Sequence, residues 1–316
     1  MNSHQGLFGG NIPQDVTGKQ GENAIFIVYG LKQSNNTIKQ VKDLCANFSA
    51  LIRSMRNRFP EMQFSCTIGF GADAWKQLFP EQDNPKELKT FETIKGAKYT
   101  AVSTPGDILL HIRAKQMGLC FEFASIIDEK LKGVVDSIDE THGFRYMDGK
   151  AIIGFVDGTE NPAVDENPYH FAVIGDEDPD FIGGSYVFVQ KYIHDMTAWN
   201  SLPVEAQEKV IGRHKYNDVE LSDEEKPQNA HNAVTNIGDD LKIVRANMPF
   251  ANTSKGEYGT YFIGYASTFS TTHKMLENMF IGSPAGNTDR LLDFSTAITG
   301  TLFFAPSYDL LGELGE

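Results

Sequence analysis

The chain has 316 residues, 41% of them hydrophobic, which is ample for a buried core, and at about 100–200 residues per domain this length predicts two domains. Its 28 basic and 42 acidic side chains give a formal charge of −14, which argues against nucleic acid and membrane surfaces as partners. No run approaches the roughly 18 apolar residues of a membrane span. The N-terminus lacks the features of a signal peptide, and the three scattered cysteines are typical of buried thiols, so we expect a cytoplasmic protein.

After a polar, Gly-rich arm over residues 1–22, the first half of the chain alternates strand and helix patterns. Apolar residues that recur every three or four positions predict a helix over 37–59, which Pro60 ends. The other predicted elements are strands at 24–29, 64–70 and 107–113, a helix at 117–131 and a strand ending near residue 147. The order βαβ, βαβ is the ferredoxin-like plan, an antiparallel sheet with both helices on one face.

The second half repeats this order and so predicts the duplication of one α+β unit. Its predicted elements are strands at 184–192, 241–248, 260–267 and 301–305, and helices at 203–212 and 271–280. We therefore predict two ferredoxin-like domains with antiparallel sheets, residues 1–145 and residues 146–316. The acidic, irregular segment 213–240 is an insertion in the second domain, either functional or a solvated loop.

The stretch 151–162, AIIGFVDGTENP, is the centre of the functional prediction. Its apolar start is typical of the end of a buried strand, and Gly154 and Gly158 then bracket Asp157. Glycine is favoured where the backbone takes positive φ or approaches another group closely, so a tight turn carries Asp157. A surface turn with a solvated Asp is the alternative. The flanking apolar run and the Thr-Glu-Asn-Pro continuation favour a loop that closes over a ligand.

The eight histidines show no zinc spacing, and the sequence has no phosphate-binding glycine motif and no G-x-S-x-G elbow. What remains is Asp157, His231 in the acidic insertion, and Arg245 with Asn247 at the end of an apolar strand. Arginine at that position can reach into a cavity or form a surface salt bridge. Beside a carboxylate its guanidinium would suit a developing negative charge.

At these residues the chain resembles the dye-decolorizing peroxidases, a haem-dependent family with a duplicated ferredoxin-like fold of the dimeric α+β barrel type. The family's Gly-x-x-Asp-Gly signature corresponds to 154–158, followed by the common Thr-Glu-Asn-Pro. Its distal Arg and Asn match Arg245 and Asn247, and its proximal ligand matches His231. The segment 289–304 also resembles the family's C-terminal segment.

The resemblance implies a peroxidase with one haem b (iron protoporphyrin IX) per chain, held in the C-terminal domain by His231. Asp157 would transfer the peroxide proton, and Arg245 would stabilise negative charge, with Asn247 nearby. An acid hydrogen-bonded to His231 is expected, and we choose Asp289 over Asp293. The residues implied to contact the haem edge through their backbone are Gly158, Thr159 and Glu160.

The implied partners are hydrogen peroxide, small aromatic electron donors such as dyes and phenolics, and further copies of the chain in a dimer or larger homo-oligomer. Trp75, Trp199 and the 11 tyrosines are candidate electron relays, although packing is the commoner role of such residues. Two other functions stay open. One is a haem-handling protein for storage or iron release with little turnover, and the other is a non-catalytic module that binds a small apolar ligand.

Overall fold

The computed structural model describes residues 10–18, 20–163 and 165–316. The long helix Thr37–Arg58 of the first half forms because one stripe of apolar side chains, from Val41 to Met55, is buried along its length. The elements of this half are β1 (Asn23–Leu31), α1 (Thr37–Arg58), β2 (Ser65–Gly71), α2 (Ala72–Leu78), β3 (Ile94–Lys95), β4 (Thr100–Ala101), β5 (Ile108–Ala114), α3 (Met117–Lys130) and β6 (Val135–Phe144).

The second half contains shorter helices. Its helix Val204–Ile211 ends where Gly212 takes a positive φ of 91°, as the sequence predicts. The elements are α4 (Pro168–Ala172), β7 (Ser185–His194), α5 (Met196–Ser201), α6 (Val204–Ile211), α7 (His231–Thr235), β8 (Val244–Arg245), β9 (Met248–Asn252), β10 (Glu257–Ala266), α8 (Phe269–Phe280), β11 (Ser295–Ala297), β12 (Thr301–Ala305) and α9 (Tyr308–Leu314).

Each half contributes an antiparallel sheet, and the two sheets meet at one edge. The strand order is β6-β1-β5-β2 in the first half, continuing as β12-β7-β10-β8 in the second, with β9 and β11 pairing to β10 and β7. The seam between β2 and β12 is short, with Phe303 opposite Gly71 and Phe304 opposite Phe70. The predicted α+β, duplicated ferredoxin-like fold is confirmed. The division of the chain into domains at residue 145 stays a prediction.

The inner faces of the two sheets pack against each other. Along β1, Phe26 and Val28 belong to a core that also contains Tyr261 and Ile263 of β10. The rings of Phe26 and Tyr261 stack with centroids 4.1 Å apart. The alternate residues of β1, such as Ile27, face the other way and pack with the apolar stripe of α1. Each sheet therefore has an inner face shared with the other sheet and an outer face of its own.

Two strand predictions were wrong in detail. The apolar run 151–153 leads into a turn rather than ending a strand, and its neighbour Lys150 makes only isolated bridges, with Tyr146 and Val156. The strand predicted at 241–248 is divided into β8 and β9. It divides because the side chain of Asn247 accepts the backbone N–H of Ile263 at 3.1 Å, which replaces a backbone hydrogen bond from this segment to β10.

The N-terminal arm is more than a polar extension. Gln14 and Val16 are buried. The side chain of Gln14 exchanges hydrogen bonds of 2.9 Å with both the N–H and the C=O of Ile68, and it donates a further bond of 2.9 Å to Pro306 O. The arm therefore covers the edge of β2 next to the seam. His4 of the arm lies outside the described residues. Among the helices of the described residues, none has the length and apolar character needed to cross a bilayer.

Candidate active site

An open cavity lies on the outer face of the second sheet. Its floor carries alternate residues of β7 and β10, among them His194 and Phe262, because successive side chains of a strand point to opposite faces. Short α7, α8 and the loops around 157 and 291 form its walls. The wall residues are mainly apolar and include Ile153, Phe155, Ile211, Ile243, Leu276 and Met279.

His231 enters this cavity from the first residue of α7. Its Nδ1 lies 2.6 Å from Oδ2 of Asp289, a carboxylate with no exposed surface. The other oxygen of Asp289 accepts the backbone N–H of Leu291 at 2.8 Å, which fixes the carboxylate in place. Nε2 of His231 has no hydrogen-bond partner among the described residues and stays available to a ligand. Asp293, the other acid considered, instead contacts Lys98 and Tyr99.

Asp157, Arg245 and Asn247 line the same cavity. The amide of Asn247 donates to Asp157 Oδ1 at 3.1 Å, while its own Oδ1 accepts the N–H of Ile263 at 3.1 Å. Through these two hydrogen bonds the buried Asn247 side chain connects the loop carboxylate to the sheet. Within the part of the chain that the structure describes, Arg245 forms no ion pair, so the surface salt bridge considered from the sequence is not what holds it.

The loop before Asp157 is built around its glycines. Gly154 has a φ of +92° and Gly158 a φ of +87°, conformations that L side chains rarely adopt. A Cβ on Gly154 would also meet the side chain of Lys215 at 2.8 Å. The N–H of Asp157 donates to Gly149 O at 3.1 Å, which anchors the loop on its upstream side.

Thr159 and Glu160 line the cavity but direct their polar side-chain atoms to the segment 213–220. Thr159 Oγ1 donates to Asp218 Oδ2 at 2.7 Å, and Glu160 pairs with Arg213. Arg213 also donates to the backbone oxygen of Asp218 at 2.7 Å. Part of the acidic segment predicted as an insertion thus forms the rim of the site, and its last residues carry His231.

His194 is a cavity residue that the sequence analysis did not single out, because it lies in polar surroundings in the sequence. It is buried, with Nδ1 2.8 Å from Ser295 Oγ and Nε2 2.9 Å from Thr260 Oγ1. Burial lowers the pKa of His194 to about 4. The signal that could have identified it is the period of β7, in which Tyr192 and His194 share a face.

The two tryptophans named as relay candidates are both fully buried. Trp199 packs edge-on against Phe155 of the cavity wall, and its Nε1 donates to Ile153 O at 2.9 Å. Trp75 packs among phenylalanines, including Phe70, next to the seam. Both have evident packing roles, and an electron-transfer role for either stays a prediction.

Both halves of the chain match a known protein family. Residues 13–145 match the family described as "Dyp-type peroxidase, N-terminal" and residues 148–310 match "Dyp-type peroxidase, C-terminal". A dye-decolorizing peroxidase of Rhodococcus erythropolis is 49% identical over 306 residues, which cover 96% of this chain and 89% of that protein.

Solved structures agree with this match. The crystal structure of a dye-decolorizing peroxidase from Bacteroides thetaiotaomicron superposes with a TM-score of 0.97 at 86% identity and covers 98% of this chain and 100% of its own. A variant of DypB from Rhodococcus jostii RHA1 in complex with heme has a TM-score of 0.90 at 45% identity, covering 95% and 98% of the two chains. Because both halves match the family and close relatives span the chain, this protein belongs to the Dyp-type peroxidase family.

Proposed function

We propose that this peroxidase binds one haem b per chain through His231, reduces hydrogen peroxide and oxidises small aromatic electron donors. The observation that carries the proposal is one cavity containing both a carboxylate-backed histidine and a separate Asp157–Asn247–Arg245 group. The first is suited to hold a metal, and the second is suited to manage a proton and a negative charge.

The residues present fit a haem group. Nε2 of His231 is uncommitted among the described residues and faces a cavity with mainly apolar walls, as a porphyrin requires. The relative from Rhodococcus jostii, similar over nearly its full length, is a complex with heme. Gly158, Thr159 and Glu160 line the cavity and would offer their backbone groups to the porphyrin edge.

Asp289 sets the state of His231. A carboxylate that accepts the Nδ1–H fixes the tautomer with Nε2 as the free ligand nitrogen and strengthens that nitrogen as a metal ligand. Because Asp289 is fully buried and also bonded to Leu291 N–H, it holds the ring orientation as well. A strongly donating histidine favours the oxidised state of the metal that it binds.

Asp157 is the proposed proton carrier of the reaction. Haem, when bound, supplies the iron at which peroxide is reduced to water at the expense of two one-electron donors. Peroxide loses a proton from one oxygen and the other oxygen gains one as it leaves, so a single group that accepts and then donates can serve both steps. A carboxylate can do this, whereas a guanidinium, which stays protonated, cannot.

Arg245 and Asn247 are assigned the two supporting roles. The permanent charge of Arg245 would stabilise the negative charge that develops on oxygen as the O–O bond breaks. Asn247 holds Asp157 in place through its 3.1 Å hydrogen bond. The cytoplasmic location and the homo-oligomer predicted from the sequence stay predictions, and light scattering of the purified protein tests the second.

The test is the visible spectrum and turnover of the purified protein with haem. We expect a Soret band at one haem per chain, a rapid spectral change on adding peroxide, and many turnovers with a phenolic donor. A haem spectrum with negligible turnover would instead favour storage or iron release. Protein that stays colourless when haem is supplied would leave only the small-ligand binding module.

A further inference from the structure

Beyond the roles just proposed, and resting on them, the loop that carries Asp157 has a second connection to the strand that carries Arg245. Within the described residues β8 is the last strand in the order of its sheet. Ala246 N–H donates to Ile263 O at 3.1 Å, and ladder bonds in an antiparallel pair fall on alternate residues. The N–H and C=O of Arg245 therefore point away from β10, toward the free edge.

The side chain of Asn161 binds both of these backbone groups. Its Oδ1 accepts the N–H of Arg245 at 2.9 Å, and its Nδ2 donates to the C=O of Arg245 at 2.9 Å. The carboxamide thus takes the place that a neighbouring strand would occupy. Two bonds from one planar amide fix both the distance and the orientation of the loop relative to β8.

A short turn links Asn161 to Asp157. The N–H of Asn161 donates to Gly158 O at 3.0 Å, which closes the turn 158–161 directly after Asp157. The turn begins at Gly158, whose positive φ of +87° is a backbone conformation that L side chains rarely adopt. Asp157 is consequently held from two sides, by Asn247 on one and by the turn and Asn161 on the other.

We infer that Asn161 is a positioning residue that sets the separation and orientation of the Asp157 carboxylate relative to the Arg245 guanidinium. Neither Thr159 nor Glu160 can do this, because their side chains bind the rim segment 213–220 rather than β8. Asn161 itself need not touch peroxide or haem. Its effect on the reaction passes through the pair of groups that it aligns.

The first test uses reaction rates in a double-mutant cycle on the haem-loaded protein. We expect Asn161→Ala to keep its haem and to react with peroxide about 10–100-fold more slowly, the cost typical of a misplaced catalytic group. In an Asp157→Asn background the same change should cost less than about twofold, because no proton carrier is left to align. Asn252→Ala is the matched control. The side chain of Asn252 accepts the backbone N–H of Lys255 within its own turn, so this substitution should leave the rate unchanged.

The second test does not depend on activity. Hydrogen exchange at the Arg245 amide should be at least about tenfold faster in Asn161→Ala than in wild type, with or without haem, and unchanged in Asn252→Ala. Should Asn161→Ala fail to fold, Asn161→Asp retains an acceptor for Arg245 N–H but loses the donor to its C=O, and a slowed peroxide reaction is expected there too. A wild-type rate in the variant that folds, or full additivity in the cycle, would overturn the inference. Wild-type protein that does not react with peroxide would instead refute the proposed function, while the exchange measurement would still test Asn161.

Discussion

The two halves of the molecule share a strand order but use the outer faces of their sheets differently. In the first half, α1 has 22 residues and α3 has 14, and together they bury the outward side chains of β1 and β5. In the second half α8 covers part of the corresponding face, and the five-residue α7, which packs against α8, forms another part of the cavity wall. The site thus occupies the space that a long helix fills in the first half.

The comparison extends to one buried histidine in each half. His111 of β5 points into the core between the sheets, where its Nδ1 lies 2.7 Å from Tyr265 Oη. His194 of β7 points to the outer face and forms part of the cavity floor. The duplicated fold thus has a buried histidine on the inner face in one half and on the outer face in the other. Only the histidine on the outer face, which helices do not fully cover, lines a cavity that can hold a ligand.

The largest expected effect is on haem binding in the second half. His231→Ala should lose stoichiometric haem and its ferric Soret spectrum, because the proposed iron ligand is gone. Absorbance with a pyridine haemochrome assay measures this. His214→Ala is the control, since His214 is partly exposed and pairs with Glu208 outside the cavity lining. Wild-type haem content in His231→Ala together with loss in His214→Ala would show that the ligand is assigned wrongly.

Next in size are the changes to the reaction with peroxide. Asp157→Asn should slow the reaction by about 10²–10⁴, the usual contribution of a positioned acid–base group. Arg245→Leu should slow it by about 10²–10³, as for loss of one charge-stabilising donor. Stopped-flow absorbance at the Soret band gives both rates, and haem content should stay at the wild-type level. If the Asp157→Asn protein reacted as fast as wild type, the proton would have to be carried by a group other than Asp157.

A third prediction contrasts the sealed and open faces. Phe48 of α1 is fully buried, and Phe48→Ala should lower the free energy of unfolding by about 3–5 kcal/mol without changing the peroxide rate of the folded protein. Phe262→Ala should lower the free energy of unfolding by less, because this ring is only partly buried. It should weaken haem binding, because the ring lies on the cavity floor. Urea unfolding and haem titration measure the two effects. Equal stability losses in both variants would contradict the contrast between the faces.

The last effect, small over any narrow pH range, is a pH dependence of stability that both buried histidines create. Burial lowers the pKa of His194 to about 4, and it lowers the pKa of His111 well below its ordinary value, with help from nearby Arg113. Unfolded histidine binds a proton below about pH 6.5, so acidification from there favours the unfolded chain. Each histidine should contribute up to about 1.4 kcal/mol per pH unit, for His194 between about pH 6.5 and 4.

The check on this prediction uses the haem-free protein. Urea unfolding at several pH values should give a shallower loss of stability in His194→Gln and in His111→Gln than in wild type. Gln keeps a donor and an acceptor but does not titrate in this range. An unchanged slope in either variant would mean that the corresponding histidine does not stay neutral in the folded state.

The sequence predicted the fold well wherever the pattern was long and periodic. The stripe from Val41 to Met55 predicted α1 almost to the residue. Prediction from the sequence failed where a single side chain determines the backbone hydrogen bonding. At Asn247, the bond to Ile263 N–H divides the predicted strand in two. Such a bond depends on a residue that is distant in the chain and leaves no periodic signal.

For the site, the sequence indicated the chemistry but left the geometry open. The glycines around Asp157 predicted a tight turn, and positive φ at both is the reason. Which acid meets His231 depended on packing between α7 and residue 289, which spacing along the chain does not encode. His194 was missed because the sequence around it does not show that Ser295 and Thr260, which are distant in the chain, bind its ring nitrogens on the cavity floor.

The seam between β2 and β12 has a consequence for how the protein melts. Among the described residues two strand-ladder pairs join the sheets there, and Gln14 of the arm is bonded to both sides. The core behind the seam, however, is built from both halves, with Phe26 stacked on Tyr261. Neither half alone could bury the apolar side chains of its inner face, so unfolding of one half exposes those of the other to water. We therefore expect the two halves, which match separate family domains, to unfold together in a single calorimetric transition.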